Sequence, residues 1–227
     1  MTFIHNDLPI EIPELKTKNI NRKRFYQAPN GQLYPSITTV LNKKKMQGIN
    51  EWRKKVGEDV ANYIARTAAN RGTKVHHMCE DFLNNNFDDE VHKKNFLPYV
   101  LFGQMKPILM QKVNNILVQE CGLYSDKYKV AGRVDCIAKY NGVPSIIDFK
   151  TSRKFKKKQW CHNYFMQESA YAIMWEERTQ MPITQLVTLI AVDDRDPIVY
   201  IEHRDNWVTP LKSVIAQWNE ENTSVKF

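Results

Sequence analysis

The first 35 or so residues are proline-rich and polar, with a turn signal at Pro29-Asn30-Gly31, and predict a segment that wraps the surface. Pro35-Ser36-Ile37-Thr38 then reads as a helix entry, with Ser36 capping a short stretch through Val40 and Leu41. Over about 51–84 the apolar positions recur every three or four residues. Val60, Ile64, Thr67, Ala68, Val75, Cys79 and Phe82 form one stripe and predict a long helix with a buried face. Gly72 interrupts the stripe, where a small residue lets another backbone approach. A further amphipathic helix is expected over about 97–113.

Beyond that point the period changes from helical to alternating. Strands are expected over 115–123, 127–140 and 143–151, the last two joined by Asn141-Gly142, a strong hairpin signal. A helix over about 158–179, strands over 184–192 and 198–203, and a last helix from Pro210 to about 220 complete the pattern. There is no internal repeat, low-complexity tract or interdomain linker. The expected fold is a single α/β domain over 36–227, a central mixed β-sheet flanked by helices, with 1–35 as its surface-wrapping segment.

Composition narrows the class. With 227 residues, 42% of them hydrophobic, the chain can bury one substantial core. No stretch approaches the roughly 18 uninterrupted apolar residues of a membrane span. The N-terminus carries Asp7, Glu11 and Glu14 and lacks an apolar signal region, so the expectation is a cytoplasmic protein. The net charge of +8 suits a polyanionic partner. Basic runs occur at Arg22-Lys23-Arg24, Lys43-Lys44-Lys45, Arg53-Lys54-Lys55 and over 153–158. Any one of them reads equally well as a solvated face, but four together favour phosphate contacts. Cys79, Cys121, Cys136 and Cys161 contain no CxxC pair and read as small hydrophobes, not as zinc ligands or a disulfide framework.

The chemistry concentrates in two short blocks, Gly132-Arg133-Val134-Asp135 and Ile146-Ile147-Asp148-Phe149-Lys150-Thr151. Asp148 and Lys150 stand two apart on a strand and leave the same face. A hairpin centred on Asn141-Gly142 pairs residues whose numbers sum to 283, which puts Asp135 opposite Asp148. Two carboxylates facing each other repel unless a cation lies between them. The site therefore suits a hard divalent ion with oxygen ligands, Mg²⁺ or Mn²⁺, with Lys150 beside it to orient or deprotonate a water. The bland alternative is an ordinary surface ion pair of Asp148 and Lys150. The apolar Ile146-Ile147 before them marks a central strand, where charges need a reason.

These blocks resemble the PD-(D/E)XK nuclease superfamily, with Asp135 as the first acid and Asp148-Phe149-Lys150 as the (D/E)-x-K. Val134 stands where the signature has proline. Arg71-Gly72-Thr73-Lys74-Val75-His76 resembles the G-T-x-x-H motif of the RecB-like and lambda-exonuclease-like branch. Gln167-Glu168-Ser169-Ala170-Tyr171 resembles that branch's Q-x-x-x-Y motif. Within the branch, Tyr34-Pro35-Ser36-Ile37-Thr38, Trp52, the His76 motif and the 132–151 block are similar to the mitochondrial genome maintenance exonuclease group and its phage and bacterial relatives.

The resemblance implies a metal-dependent DNA exonuclease acting on single-stranded ends in recombination, repair or replication. Asp135, Asp148 and Lys150 would be catalytic, and His76, Asp135, Asp148 and the Phe149 carbonyl would hold the metal. Spacing from Gly72-Thr73 selects His76 over His77, and a helical step of about 100° points His77 elsewhere. Glu80, one turn on, is a candidate support for the ligands. Glu120 matches where some relatives place an extra acid, and reads equally as an edge charge. Gln167 and Tyr171, four apart on a helix, would reach the site and the DNA backbone, with Thr151, Ser152 and Arg153 binding flanking phosphates. Tyr26, Tyr34 and Trp160 are candidates to stack unpaired bases. The late cysteine triplet of the iron–sulfur members is missing, so no such cluster is expected. DNA is the expected partner, with recombination or replication proteins beside it and no membrane. The competing readings are a structure-specific endonuclease of the same fold and a catalytically silent single-strand-binding module.

Overall fold

A computed structural model describes residues 2–42 and 46–222, so the Lys43-Lys44-Lys45 run lies outside the described residues. The chain begins with a three-stranded antiparallel sheet, β1 (Lys16–Ile20), β2 (Lys23–Gln27) and β3 (Leu33–Pro35). Helices α1 (Ile37–Asn42), α2 (Met46–Val56), α3 (Glu58–Leu83), the single turn α4 (Asp89–His92) and α5 (Phe96–Lys112) follow. The main sheet is built from β4 (Val113–Ser125), β5 (Val130–Tyr140), β6 (Val143–Ser152), β7 (Gln185–Val192) and β8 (Ile198–His203), in that spatial order. Helix α6 (His162–Thr179) crosses from β6 to β7, and α7 (Asp205–Asn222) closes the described chain.

Asn141 and Gly142 both take positive φ, 51° and 81°, the backbone that a two-residue hairpin turn demands. The turn sets the register: Tyr140 pairs with Val143, and the ladder runs to Cys136 opposite Ile147, every pair summing to 283. β6 then runs parallel to β7, whereas the other neighbours are antiparallel, so the sheet is mixed. One face is covered by α3 and α5, with Val75, Met78, Leu101 and Phe102 packed against Ile147, Phe149 and Leu189. The opposite face is covered by α1, α6 and α7, with Ile37, Trp175, Leu211 and Trp218 against Val134, Ile146 and Leu186. β6 is thus buried on both sides, and its C-terminal end carries Asp148 and Lys150.

Several local expectations are corrected. The long helix is two, α2 and α3, broken at Gly57, whose φ is 87°. Gly72 does not interrupt α3. A Cβ there would meet only Thr151 Oγ1 at 3.9 Å, an ordinary contact. The predicted stripe is buried only in its second half. Val75, Met78, Cys79 and Leu83 sit in the core, while Val60 is 50% exposed, because α5 and the sheet pack against the C-terminal half alone. The last helix begins five residues before Pro210, not at it. The Asn206 carbonyl that the proline leaves without a donor is on an exposed residue, where water can serve it. Strands β1 to β3 went unanticipated, since Lys16–Ile20 carries no apolar alternation and its turn at Asn21-Arg22 takes positive φ without glycine. Residues 158–160 form a 3₁₀ turn ahead of α6. All four cysteines are free, three of them buried and Cys121 half-buried.

Candidate metal centre

The β5–β6 ladder ends one residue short of the two acids. There the Asp135 carboxylate accepts the backbone N–H of Phe149 at 2.8 Å, so a side chain takes up a strand donor. Asp148, 1% exposed, is ion-paired with Lys150 and accepts from the Gln167 amide at 3.0 Å. The same amide reaches the Tyr171 hydroxyl at 3.2 Å, so the pair four apart on α6 acts on the end of β6 as one unit. From the other side, α3 presents His76, whose Nδ1 lies 3.5 Å from Asp135 and whose ring packs edge-on against Phe149. His77 points away, 66% exposed, and contacts Glu80 at 3.4 Å.

One ligand atom each from His76, Glu120 and Asp135 fall within 4.8 Å of one another. Glu120 reaches this position because β4 is irregular between Asn114 and Val118 and because Glu120 itself takes a φ of 45°. A non-glycine residue in that region costs free energy, and such costs collect where a side chain must be aimed. Two oxygen donors and an imidazole meet the donor set of a divalent cation, so the residues fit the metal that the sequence implied.

The electrostatics reflect crowded, desolvated acids. Burial, then Asp135, pushes Glu120 up to about 7. Burial likewise raises Asp148 to about 6, with Lys150 opposing and Asp135 adding to the rise. For Lys150 burial works against the charge, but Asp148 and Asp135 outweigh it and hold the ammonium above its usual range. Lys150 is therefore a cation in the metal-free protein.

His76, Glu120, Asp135, Lys150 and Gln167 line a cleft of about 370 Å³ together with Arg24, Arg133, Asn163 and Tyr164, whereas Asp148, 1% exposed, meets it only through its partners Lys150 and Gln167. The other site residues expected from sequence lie elsewhere. The Ser152 hydroxyl is spent on the backbone of Lys154, which fixes the following loop. Arg153 lines grooves outside the cleft. Thr151 borders α3 at Gly72. Glu80 pairs with His77, not His76. Tyr26 does line the cleft, but it and Tyr34 are each only 2% exposed, whereas Trp160 is 54% exposed.

No family model matches the chain. Its sequence is similar to mitochondrial genome maintenance exonuclease 1 of Homo sapiens, 25% identical over 130 residues that cover 54% of this chain. The match spans 38% of that relative's length. A crystal structure of a candidate exonuclease from Eubacterium rectale superposes with a TM-score of 0.43 at 11% identity, over 69% of each chain.

Two residues at the site, Gly132 and Glu168, have roles that escape sequence reading, and a third, Arg24, was legible only as part of a basic run. Gly132 lies under Tyr171, where a Cβ would stand 2.6 Å from the ring and 3.2 Å from Ile37. Arg24 comes from β2, which showed no strand signal. Glu168 is fully buried, bonded to the Thr188 hydroxyl opposite Asp148. Burial and the Asp148 charge hold its carboxyl well above the ordinary range. One sign of it was available: Glu168 is the only charged residue between His162 and Trp175.

Proposed function

We propose that the chain is a metal-dependent DNA exonuclease of the PD-(D/E)XK superfamily, hydrolysing phosphodiester bonds from single-stranded ends. The observation that carries this reading is the convergence of Asp135 and Lys150 from one hairpin with His76 from α3 in a single cleft, with Asp148 ion-paired to Lys150. His76, Asp135, Asp148, the Phe149 carbonyl and Glu120 would hold Mg²⁺ or Mn²⁺. When bound, such a cation polarises a phosphate oxygen and eases the deprotonation of water. Of the two readings open for Glu120, this takes the extra acid over the edge charge.

The protein's own groups do the positioning. Gln167 fixes one oxygen of Asp148 and Lys150 pairs with the other, while the Phe149 N–H fixes one oxygen of Asp135 and leaves its second oxygen for a cation. Lys150, held as a cation, donates to the attacking water or the phosphate and neutralises charge as it develops. Arg24 and Arg133 at the cleft wall attract the strand's phosphates. None of this requires a duplex.

The test incubates the protein with Mg²⁺ or Mn²⁺ and end-labelled linear single strands, linear duplexes and covalently closed single-stranded circles. The expected result is metal-dependent loss of the linear single strand ahead of the duplex, with the circle intact. Rapid cutting of the circle replaces this reading with the endonuclease. DNA binding without cleavage in either metal replaces it with a silent binding module.

A further inference from the structure

The chain leaves the catalytic strand through residues 153–160, Arg-Lys-Phe-Lys-Lys-Lys-Gln-Trp. The backbone of this loop is well tied down. Ser152 donates to the Lys154 carbonyl at 2.6 Å, and the Tyr200 hydroxyl donates to the Lys156 carbonyl at 2.6 Å. Lys158 is ion-paired with Glu202. Yet Phe155 is 46% exposed and Trp160 54% exposed, and both line one groove of about 470 Å³ with Arg153, Lys154 and Lys156. The Lys157 ammonium lies 5.7 Å from the centre of the Trp160 ring.

Two large rings held in water on an anchored backbone are costly unless something covers them. The cover must be flat and apolar where it meets the rings and anionic where it meets the lysines. Unpaired bases on a phosphate backbone have that chemistry, whereas an apolar protein surface would desolvate the lysines without return. Lys156 of the groove also reaches towards the metal cleft. The Tyr164 ring, which lines the cleft, has Lys150 5.4 Å from its centre and Lys156 5.9 Å from it.

We propose that Phe155 and Trp160 form a stacking platform for the unpaired bases of a DNA single strand whose scissile phosphate lies at Asp135 and Asp148. Arg153, Lys154, Lys156 and Lys157 hold its backbone there. The proposal rests on the nuclease reading and names where that reading's substrate is gripped.

The experiment measures binding of a 5′-fluorescein oligothymidylate by anisotropy in EDTA, where no cleavage occurs. Wild type is compared with Phe155→Ala/Trp160→Ala and with Lys154→Gln/Lys156→Gln, and the strand is compared with an abasic one of equal length. Removing the rings should weaken binding roughly 10-fold or more and leave the slope of log affinity against log salt unchanged. Removing the lysines should flatten that slope. The abasic strand should bind wild type no more tightly than the thymidylate binds the ring variant. Because both rings are exposed, the ring variant should keep the wild-type melting temperature, and Phe155→Tyr/Trp160→Phe should retain affinity. The proposal falls if the ring variant binds as wild type does, if wild type binds the abasic strand equally well, or if wild type does not bind the single strand. Failure of the nuclease reading looks different: ring-dependent binding would persist with no cleavage in Mg²⁺ or Mn²⁺.

Discussion

The carboxylate of Asp135 accepts the backbone N–H of Phe149 at 2.8 Å. That bond holds one acid in place with a neutral donor, close to a second acid that would otherwise repel it. It also separates the acid's structural task from its charge. Asp135→Asn keeps an acceptor for Phe149 and should unfold within about 0.5 kcal/mol of wild type, the usual range for a change that leaves packing and hydrogen bonds in place. Asp135→Ala leaves that part-buried N–H without a partner and should cost about 1–3 kcal/mol. Both should lose metal-induced stabilisation. Denaturant melts with and without Mn²⁺ check this, and equal stability of the two variants would contradict it.

Lys150 and Asp148 form the ion pair at the end of the buried strand β6. Asp148→Asn or Lys150→Ala should lower the rate of cleavage by roughly 10²- to 10⁴-fold while single-strand binding in EDTA survives. Either variant cutting at the wild-type rate would remove the pair from the chemistry.

The two adjacent histidines give a sharper contrast. His76 faces Asp135 at 3.5 Å, and His77 is largely in solvent. Substituting His76 with alanine should raise the Mn²⁺ concentration needed for half-maximal cleavage roughly 10- to 100-fold, and His77→Ala should leave it in place. A metal titration of both variants decides, and the reverse order would move the ligand by one residue.

Two of the raised acids, Asp148 and Glu120, belong to the proposed ligand set and make it pH-sensitive. Burial lifts Asp148 from 3.8 to about 6 and Glu120 from 4.5 to about 7. In each case the folded, metal-free protein binds the proton more tightly than the unfolded chain does. The stability this contributes is fully present below about pH 4 and is lost as pH rises through 6 and then 7. A cation competes with those same protons, so its affinity should climb over that range. Melting curves at pH 5.5 and pH 8 should show a lower metal-free midpoint at pH 8 and a larger upward shift on adding Mn²⁺. An equal metal-induced shift at both pH values would count against Glu120 and Asp148 as ligands.

Gly132 is a packing requirement, not a flexible hinge. Its Cβ position is 2.6 Å from the Tyr171 ring, and Tyr171 is itself only 2% exposed. Gly132→Ala should destabilise by about 1–3 kcal/mol. The damage should be smaller in a Tyr171→Ala background, where the ring is gone. A double-mutant cycle with no coupling between the two sites would refute the contact.

The hairpin and its register as far as Cys136 opposite Ile147 were legible in the sequence because each rests on local rules. Asn141-Gly142 dictates the turn, the turn dictates the pairing, and the period of two places Lys150 beside Asp148. Ser36 as a helix cap is of the same kind, its hydroxyl accepting the Thr39 N–H at 3.1 Å. What the tertiary structure decided depends on contacts between residues far apart in the chain. Only packing could show that α3 buries one half and exposes the other, since periodicity is the same along both. Only the irregularity of β4 and the positive φ of Glu120 bring that acid to His76 and Asp135. Gly132 under Tyr171, Glu168 against Thr188 and Arg24 at the cleft wall join segments 20 to more than 100 residues apart. A sequence period reports which face of an element is apolar, but not which neighbour lies against it.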